Sequence, residues 1–222
     1  MLSPANNKFV QEVTGTFLNY DRAIDTTMLP PIGSIATQQA DPTENTLQKI
    51  KQFIDYAATN PEAIITYRAS GMVPAAHSDA SYLSETKARI IAGGHLFMSN
   101  DASTLSNNGV VINISQTIKD IMSSTVAAEL GSLFINFQEA IPLHQALEIM
   151  GHRQPPTTMQ TDNTTACAVV TNKISQKRLK SLDIKRHWLR CRISQKQFRY
   201  YWQLGPNNLG DYVTKHHAAI HH

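Results

Sequence analysis

The sequence predicts an α/β fold, in which helices flank a sheet and a helical segment precedes it. Three features of the 222 residues support this prediction. Residues 1–61 carry helix signals, residues 63–115 contain short apolar stretches separated by turn residues, and residues 124–217 alternate between helix-like and strand-like patterns. Because the first strands follow one another closely along the chain, we expect them to form an antiparallel meander.

The N-terminal segment ends in a predicted helix. Apolar residues recur there at helical spacing and form one face: Leu47, Ile50, Phe53, Ile54 and Ala57. We expect Asp41 to cap this helix, Pro42 to occupy its first position and Glu44 to complete a capping box. The residue before Pro61 is disfavoured in the helical conformation, so the helix should end there. We therefore predict two domains, residues 1–61 and 62–222.

The second domain begins with four predicted strands, at residues 63–67, 73–79, 90–98 and 110–115. A long helix should follow, with Ser124 as its N-cap. Its core-facing stripe contains Val126, Leu130, Leu133, Phe134, Phe137 and Ile141. The remaining elements are a strand at 157–162, a helix at 164–172, a basic helix at 182–194, a strand at 198–204 and a final helix at 209–217.

Charge and cysteine usage narrow the class of protein. The net charge is only +3, but residues 173–199 contain ten Lys or Arg and a single acid, Asp183. Such a basic segment fits a polyanionic ligand. The two cysteines form neither a disulfide framework nor a metal-binding spacing, which favours a reducing compartment. No apolar run approaches the ~20 residues of a membrane span, and no signal pattern is seen. We expect a cytoplasmic protein without a membrane partner.

Four carboxylates in separate segments carry most of the functional information: Asp79, Glu129, Asp162 and Asp211. Each has a structural explanation when taken alone. Asp79 could form a turn at the end of its strand, Asp162 could cap a helix, Asp211 could complement a helix dipole, and Glu129 could be solvated. If the four converge, they provide the oxygen ligands that two Mg2+ ions about 4 Å apart need for phosphodiester hydrolysis.

In their order and neighbours, these acids resemble the acidic tetrad of ribonuclease H, and specifically the ribonuclease H domain of copia-type LTR retrotransposon polyproteins. The resemblance spans nearly the whole chain. The basic segment also resembles that family, and residues 15–44 resemble the tail of its reverse transcriptase. The stretches that carry the acids are His77-Ser78-Asp79-Ala80-Ser81, Ala128-Glu129-Leu130, Thr161-Asp162-Asn163 and Asn208-Leu209-Gly210-Asp211.

The resemblance implies a ribonuclease H-like fold, with three antiparallel strands followed by parallel ones, and a polymerase thumb or connection tail in residues 1–61. It implies an endonuclease that cleaves the RNA strand of RNA:DNA hybrids during reverse transcription. The four acids would be catalytic and would hold two Mg2+ ions, with Mn2+ as a substitute. Asp79 would bridge both ions.

The same resemblance implies two partners: an RNA:DNA hybrid and the reverse transcriptase portion of the same polyprotein. The site of action would be the cytoplasm or a virus-like particle. The residues implied in nucleic-acid binding are Ser81, Asn163, Lys177, Arg178, Lys180, Lys185 and Arg186. We expect Trp188 to pack on the sheet with Ile184 and Leu189 rather than to contact nucleic acid.

Several positions depart from the family pattern. Ala127 stands where a second Glu is usual, Lys185 and Arg186 replace an Arg and an aromatic residue, and Cys191 stands where an acid is common. The polymerase motif Tyr-x-Asp-Asp is absent, so no polymerase activity is expected. These departures favour an alternative, a catalytically decayed nucleic-acid-binding remnant. A third reading, an integrase or resolvase-like nuclease on the same fold, is disfavoured by the fourth acid, Asp211.

Overall fold

The computed structural model describes residues 2–85, 89–101, 105–171 and 180–216. Contacts within the chain divide it into two compact units, Met1–Ile65 together with the C-terminal residues from His216, and Thr66–Lys215. The division falls close to the boundary expected at residue 61. The assignment of the first unit to a polymerase tail stays a prediction.

The first unit contains three helices, α1 (Pro4–Ala23), α2 (Leu29–Ala36) and α3 (Glu44–Thr59), with a 3-10 turn at Thr26–Met28. Their apolar faces meet in a core that includes Val10, Met28, Ile32, Ile50 and Phe53. Burial of this apolar surface stabilises the unit, since short helices are marginal in water on their own.

The start of α3 corrects the predicted cap. Thr43, and not Asp41, is the N-cap: its backbone is extended and its hydroxyl accepts a hydrogen bond from Thr46 N–H at 3.3 Å. The Thr46 hydroxyl accepts in turn from Thr43 N–H at 3.1 Å, which completes the capping box without Glu44. Pro42 therefore precedes the cap. The end of the helix at Thr59 agrees with the prediction from Pro61.

The second unit is built on a five-stranded mixed sheet with the strand order β3-β2-β1-β4-β5. The strands are β1 (Val73–Glu85), β2 (Arg89–Ser99), β3 (Val110–Ile118), β4 (Thr157–Thr161) and β5 (Phe198–Trp202). β1, β2 and β3 pair antiparallel, β4 runs parallel to β1, and β5 runs parallel to β4. With helices α4 (Thr125–Ile149), α5 (Thr164–Val170) and α6 (Lys180–Ser194), this confirms the predicted ribonuclease H-like fold.

Helix α4 packs on the central strands through Leu130, Leu133 and Phe137, which contact Ala76 and Met159 of the sheet. Ser124 caps it as predicted, accepting from Ala127 N–H. The helix approaches the sheet closely at Gly94, where an added Cβ would lie 1.9 Å from Asn136 Oδ1. At this close approach, two polar residues of α4 form hydrogen bonds to the sheet: Ser132 donates to the Asp79 carbonyl and Asn136 donates to the Gly93 carbonyl. These bonds fix the register of α4 against β1 and β2.

Three predicted elements differ from the structure. Residues 63–67 form no strand; instead, the Tyr67 hydroxyl donates to the Val110 carbonyl, which holds this segment beside the start of β3. β1 continues past Asp79 to Glu85, because β2 pairs with it as far as Ser81 and again at Glu85, after a bulge. The final helix expected at 209–217 is, within the described residues, a 3-10 turn at Leu209–Val213. In the described part of the chain, no helix is long and apolar enough to span a membrane.

Candidate active site

Asp79 lies in the middle of β1 on the face of the sheet opposite α4. Side chains alternate along a strand, and Ser78 points toward α4, where its hydroxyl lies 3.2 Å from that of Ser132. The Asp79 carboxylate therefore faces the other side, where the Thr214 hydroxyl donates to its Oδ2. It is 2% exposed. The expectation that Asp79 ends its strand is wrong, but its carboxylate does lie on the side where a second acid-bearing segment packs.

Asp211 is brought to β1 by the 3-10 turn Leu209–Val213. Hydrogen bonds join this segment to β1. His77 Nδ1 accepts from Leu209 N–H at 3.0 Å, and Asn208 Nδ2 donates to the Ser78 carbonyl at 2.9 Å. Within the segment, Asn208 Oδ1 accepts from Gly210 N–H. Burial lowers the pKa of His77 to about 3, so its ring is neutral and Nδ1 is free to accept.

Asp162 follows β4 directly. β4 runs parallel to β1 and pairs His77 with Gln160, so Asp162 lies level with Asp79. Asn163, and not Asp162, caps α5: its side chain accepts from Ala166 N–H at 2.9 Å. Carboxylate oxygens of Asp79, Asp162 and Asp211 all lie within 4.8 Å of one another. We call these three residues the acid cluster.

Glu129 lies on α4 near the acid cluster and is 4% exposed. Its Oε2 has no hydrogen-bond partner among the described residues. Burial raises the pKa of Glu129 to about 9, and the charges of Asp79 and Asp162 act in the same direction. Glu129 therefore carries a proton at neutral pH in the protein alone. Its burial rules out the solvated surface position that an isolated Glu on a helix usually has.

The electrostatics of the acid cluster follow from burial and mutual repulsion. Burial raises the pKa of Asp79 to about 6, and the Asp211 charge adds to this while the Thr214 hydrogen bond opposes it. Burial and the Asp211 charge also raise the pKa of Asp162. Carboxylates that disfavour one another's ionised form gain most when a cation is bound between them.

Lys215 supplies one positive charge inside the site, and sequence reasoning missed it. Its Nζ lies 2.6 Å from Asp211 Oδ1 and 3.9 Å from Asp79 Oδ2. Burial alone would lower the pKa of Lys215, but the Asp211 hydrogen bond and the neighbouring carboxylates raise it above its ordinary value. The spacing of four residues from Asp211 was a weak local signal for this pair.

The donor set of the acid cluster fits a hard divalent cation. It offers carboxylate oxygens with no nitrogen or sulfur ligand, a set that suits Mg2+ or Mn2+ better than Zn2+. Asp162 and Asp211 are half-buried, so solvent can complete a coordination shell on their side. The unpartnered buried oxygen of Glu129 is a further acceptor that a cation or its bound water would satisfy.

The residues expected to bind nucleic acid differ from one another in exposure and in their hydrogen-bond or ion-pair partners. Ser81 is 3% exposed, and the side chain of Asn163 is engaged in capping α5. Lys185 forms an ion pair with Asp120, and Arg186 pairs with Asp183 at 3.0 Å. Both cations therefore have carboxylate partners: Asp120 approaches Lys185 from a distant part of the chain, and Asp183 lies three residues before Arg186 on the same helix. Lys177 and Arg178, and the side chain of Lys180, lie outside the described residues.

The two tryptophans have different environments. Trp188, expected to pack on the sheet, packs against two residues of helix α4, with ring centroids 5.0 Å from Phe134 and 6.4 Å from Phe137. Ile184, expected to pack with it, is instead 80% exposed. Trp202 was missed: it is 43% exposed, and its Nε1 donates to the Asp162 carbonyl at 2.8 Å. A strand ending in an aromatic residue was its only sequence signal.

Solved structures that are similar to this chain include a foamy viral protein and two RNase H proteins. The foamy viral protease-reverse transcriptase dRH in complex with double-stranded DNA has a TM-score of 0.57 and 10% identity, covering 91% of this chain and 35% of that one. LC11-RNase H1, isolated from compost by a metagenomic approach, has a TM-score of 0.49 and 11% identity, covering 64% and 92%. The N-terminal RNase H domain of Rv2228c from Mycobacterium tuberculosis has a TM-score of 0.44 and 15% identity, covering 64% and 91%.

No family model matches the chain, and no curated protein matches it. At 10% identity, the similarity to the foamy viral structure bears on the fold alone.

Proposed function

We propose that this protein is a divalent-metal-dependent endonuclease that cleaves the RNA strand of RNA:DNA hybrids. The observation that carries the proposal is the convergence of Asp79, Asp162 and Asp211 from three separate segments onto one place, with Glu129 buried nearby. Three of the four acids do not have the purely structural role that each could have had when taken alone. Asp79 forms no turn, Asp162 is not the cap of α5, and Glu129 is not solvated.

The residues of the chain have distinct tasks in this proposal. Asp79, Asp162 and Asp211 would hold the metal ions, with Glu129 as a fourth ligand that gives up its proton when they bind. Bound metal would supply water activation, stabilisation of the leaving oxygen and charge neutralisation at the phosphate. The Thr214 hydroxyl orients Asp79 through Oδ2, and His77 and Asn208 hold the segment that carries Asp211.

The substrate and context are part of the proposal. Selection of an RNA strand would come from contacts to 2′-hydroxyl groups across a wide minor groove. The foamy viral structure is bound to double-stranded DNA, and the similarity to it covers most of both units of this chain. This supports a nucleic-acid duplex as the ligand and a polymerase as the protein to which Met1–Ile65 belongs. We place the protein in a copia-type retrotransposon polyprotein acting in the cytoplasm or a virus-like particle.

A cleavage assay tests the proposal directly. A labelled RNA:DNA hybrid, the same RNA alone and a matching DNA duplex are each incubated with the full chain in Mg2+, Mn2+ or EDTA. We expect cleavage of the RNA in the hybrid, with 5′-phosphate ends, in Mg2+ and Mn2+ but not in EDTA. Asp79→Asn and Asp162→Asn should each lose cleavage by orders of magnitude, because they remove ligand charge while keeping size.

The matched control is Asp55→Asn, which makes the same chemical change at an exposed position of α3. It should cleave like the wild type. Circular dichroism and the melting temperature establish that the cluster variants are folded. Near-wild-type cleavage by either folded cluster variant in Mg2+ would refute the site.

A second candidate is a nucleic-acid-binding remnant without turnover. The position of Lys215 favours it, because an ammonium group paired with Asp211 and near Asp79 already neutralises part of the charge that would attract metal. This candidate predicts saturable hybrid binding without cleavage in any metal.

A further inference from the structure

We propose that Trp202 contacts the substrate, with its exposed indole face packed against a nucleotide of the strand held at the acid cluster. This inference rests on the proposed function, because it takes a nucleic acid as the ligand.

Trp202 is held beside the backbone of Asp162 by strand pairing and by a hydrogen bond. It is the last residue of β5 and pairs in register with Thr161, the last residue of β4. Its indole N–H donates to the carbonyl of Asp162, the residue whose carboxylate belongs to the cluster. The chain then turns back at Gly205, where an added Cβ would lie 3.0 Å from Asp162 Oδ2. The position of the ring is therefore coupled to that of Asp162.

The exposure of Trp202 contrasts with that of its neighbours on the same face of β5. Phe198 and Tyr200 point the same way, since side chains two residues apart share a face. Both rings lie against Phe137 of α4, at centroid distances of 4.0 and 5.8 Å. Trp202 lies one step further along the strand and is 43% exposed, and Leu204 beyond it is 63% exposed. The apolar face of β5 thus continues into solvent beyond Tyr200, next to the end of β4 that leads into Asp162.

A nucleotide is the ligand that suits an aromatic face at this place. The carboxylates repel phosphate, so a neutral contact close to them can hold a sugar and base without adding charge that competes with metal. Aromatic side chains stack on any base, and each such contact typically strengthens binding roughly tenfold or more. The hydrogen bond to Asp162 fixes the ring in advance, which lowers the cost of ordering it on binding.

The chain contains two tryptophans, which makes a spectroscopic test possible. Trp188→Phe leaves Trp202 as the single indole, and phenylalanine preserves aromatic packing against Phe134. We expect the emission of this variant to change saturably when an RNA:DNA hybrid is added in EDTA, where no turnover occurs. The midpoint should match the Kd from fluorescence anisotropy of a labelled hybrid. Magnesium alone should leave the emission unchanged.

Two substitutions separate the aromatic contact from the hydrogen bond. Trp202→Phe and Trp202→Leu both remove the indole N–H, but only leucine removes the aromatic face. We expect Trp202→Leu to bind the hybrid about tenfold more weakly than Trp202→Phe. The difference between Trp202→Phe and the wild type measures the effect of the bond to Asp162, and the melting temperatures of all three proteins are compared.

Equal affinities of the two variants, or unchanged Trp202 emission with hybrid bound, would overturn the inference. If Trp202→Leu does not fold, the emission of the Trp188→Phe protein decides. Cleavage of the hybrid without any emission change would remove the role of Trp202 and leave the proposed function standing. An emission change without cleavage in any metal would support the role of Trp202 and contradict the proposed nuclease activity.

Discussion

Replacing Asp21 by Asn is expected to stabilise the protein at neutral pH. Asp21 lies on α1 and is completely buried, and neither carboxylate oxygen meets a hydrogen-bond donor in the part of the chain that the structure describes. Burial, with the nearby charge of Asp25, raises the pKa of Asp21 to about 8 from an ordinary 3.8. The folded chain therefore holds a proton at pH 7 that the unfolded chain releases.

The sign and size of the effect follow from linkage. Between pH 4 and 8 the folded state binds more protons at Asp21 than the unfolded state, so stability is highest at low pH and falls as pH rises, by about 1.4 kcal/mol per pH unit. By pH 7 the accumulated loss is about 4 kcal/mol. Asparagine does not titrate, but its buried unpaired amide costs roughly 1–3 kcal/mol. The net stabilisation at pH 7 should therefore be about 1–3 kcal/mol.

Urea unfolding followed by circular dichroism at pH 5, 6, 7 and 8 measures this directly. The wild-type unfolding free energy should fall steadily over the series, and that of Asp21→Asn should change less, so that the two curves separate as pH rises. The matched control is Asp55→Asn on the exposed face of α3, which should keep the wild-type slope. Parallel curves for wild type and Asp21→Asn would refute the reasoning, because the buried carboxyl would then not be the group that binds the extra proton.

Three further predictions concern the site and its ligands. Gly93→Ala should weaken Mg2+ binding in calorimetry and slow cleavage more than tenfold. A Cβ there would lie 2.2 Å from Thr214 Cγ2 and would displace the segment that carries Asp211. A Mg2+ affinity equal to that of the wild type would contradict this prediction. Lys215→Met should bind Mn2+ about tenfold more tightly, since one competing charge is removed, whereas Lys215→Arg should not. The combined substitution Lys177→Gln, Arg178→Gln and Lys180→Gln should weaken hybrid binding. The slope of the affinity against log salt should fall by up to about 0.9 per lost phosphate contact, and the cleavage rate at saturating hybrid should change little. Unchanged affinity with lost turnover would place that segment in the active site.

The sequence predicted the central elements well because their signals are local and strong. β1, β2 and β3 are apolar or β-branched runs bounded by turn residues, and α4 combines the Ser124 cap with a continuous apolar stripe. The errors occur where local signals compete or where distant pairing decides. Asp41 and Thr43 both precede α3 and both can cap a helix, and the Thr43 hydroxyl forms the cap. The strand predicted at 63–67 has β-branched residues but no partner strand in the described residues, and β1 is longer than its apolar run because β2 pairs with it.

The acids could be predicted because a resemblance supplied their order, and not because any one of them is distinctive. Residues that support them could not be predicted in this way. His77 accepts a hydrogen bond from Leu209, and Ser132 donates to the Asp79 carbonyl; both pairs join residues more than fifty positions apart. Trp202 and Lys215 approach the acids only once β4 pairs with β1, β5 pairs with β4 and the C-terminal turn packs against β1.

The residues of the site differ in burial, and this difference indicates the side from which a substrate can approach. Asp79 and Glu129 are almost inaccessible at 2% and 4% exposure, whereas Asp162 and Asp211 are half-buried and Trp202 is open to solvent. A ligand as large as a nucleic acid can therefore reach the cluster only from the side of Asp162, Asp211 and Trp202. On the proposed mechanism, the two buried carboxylates act on the substrate through bound metal, while the outer residues meet the strand itself. Substitutions at the buried pair should accordingly change metal affinity first, and those at the rim should change substrate affinity first.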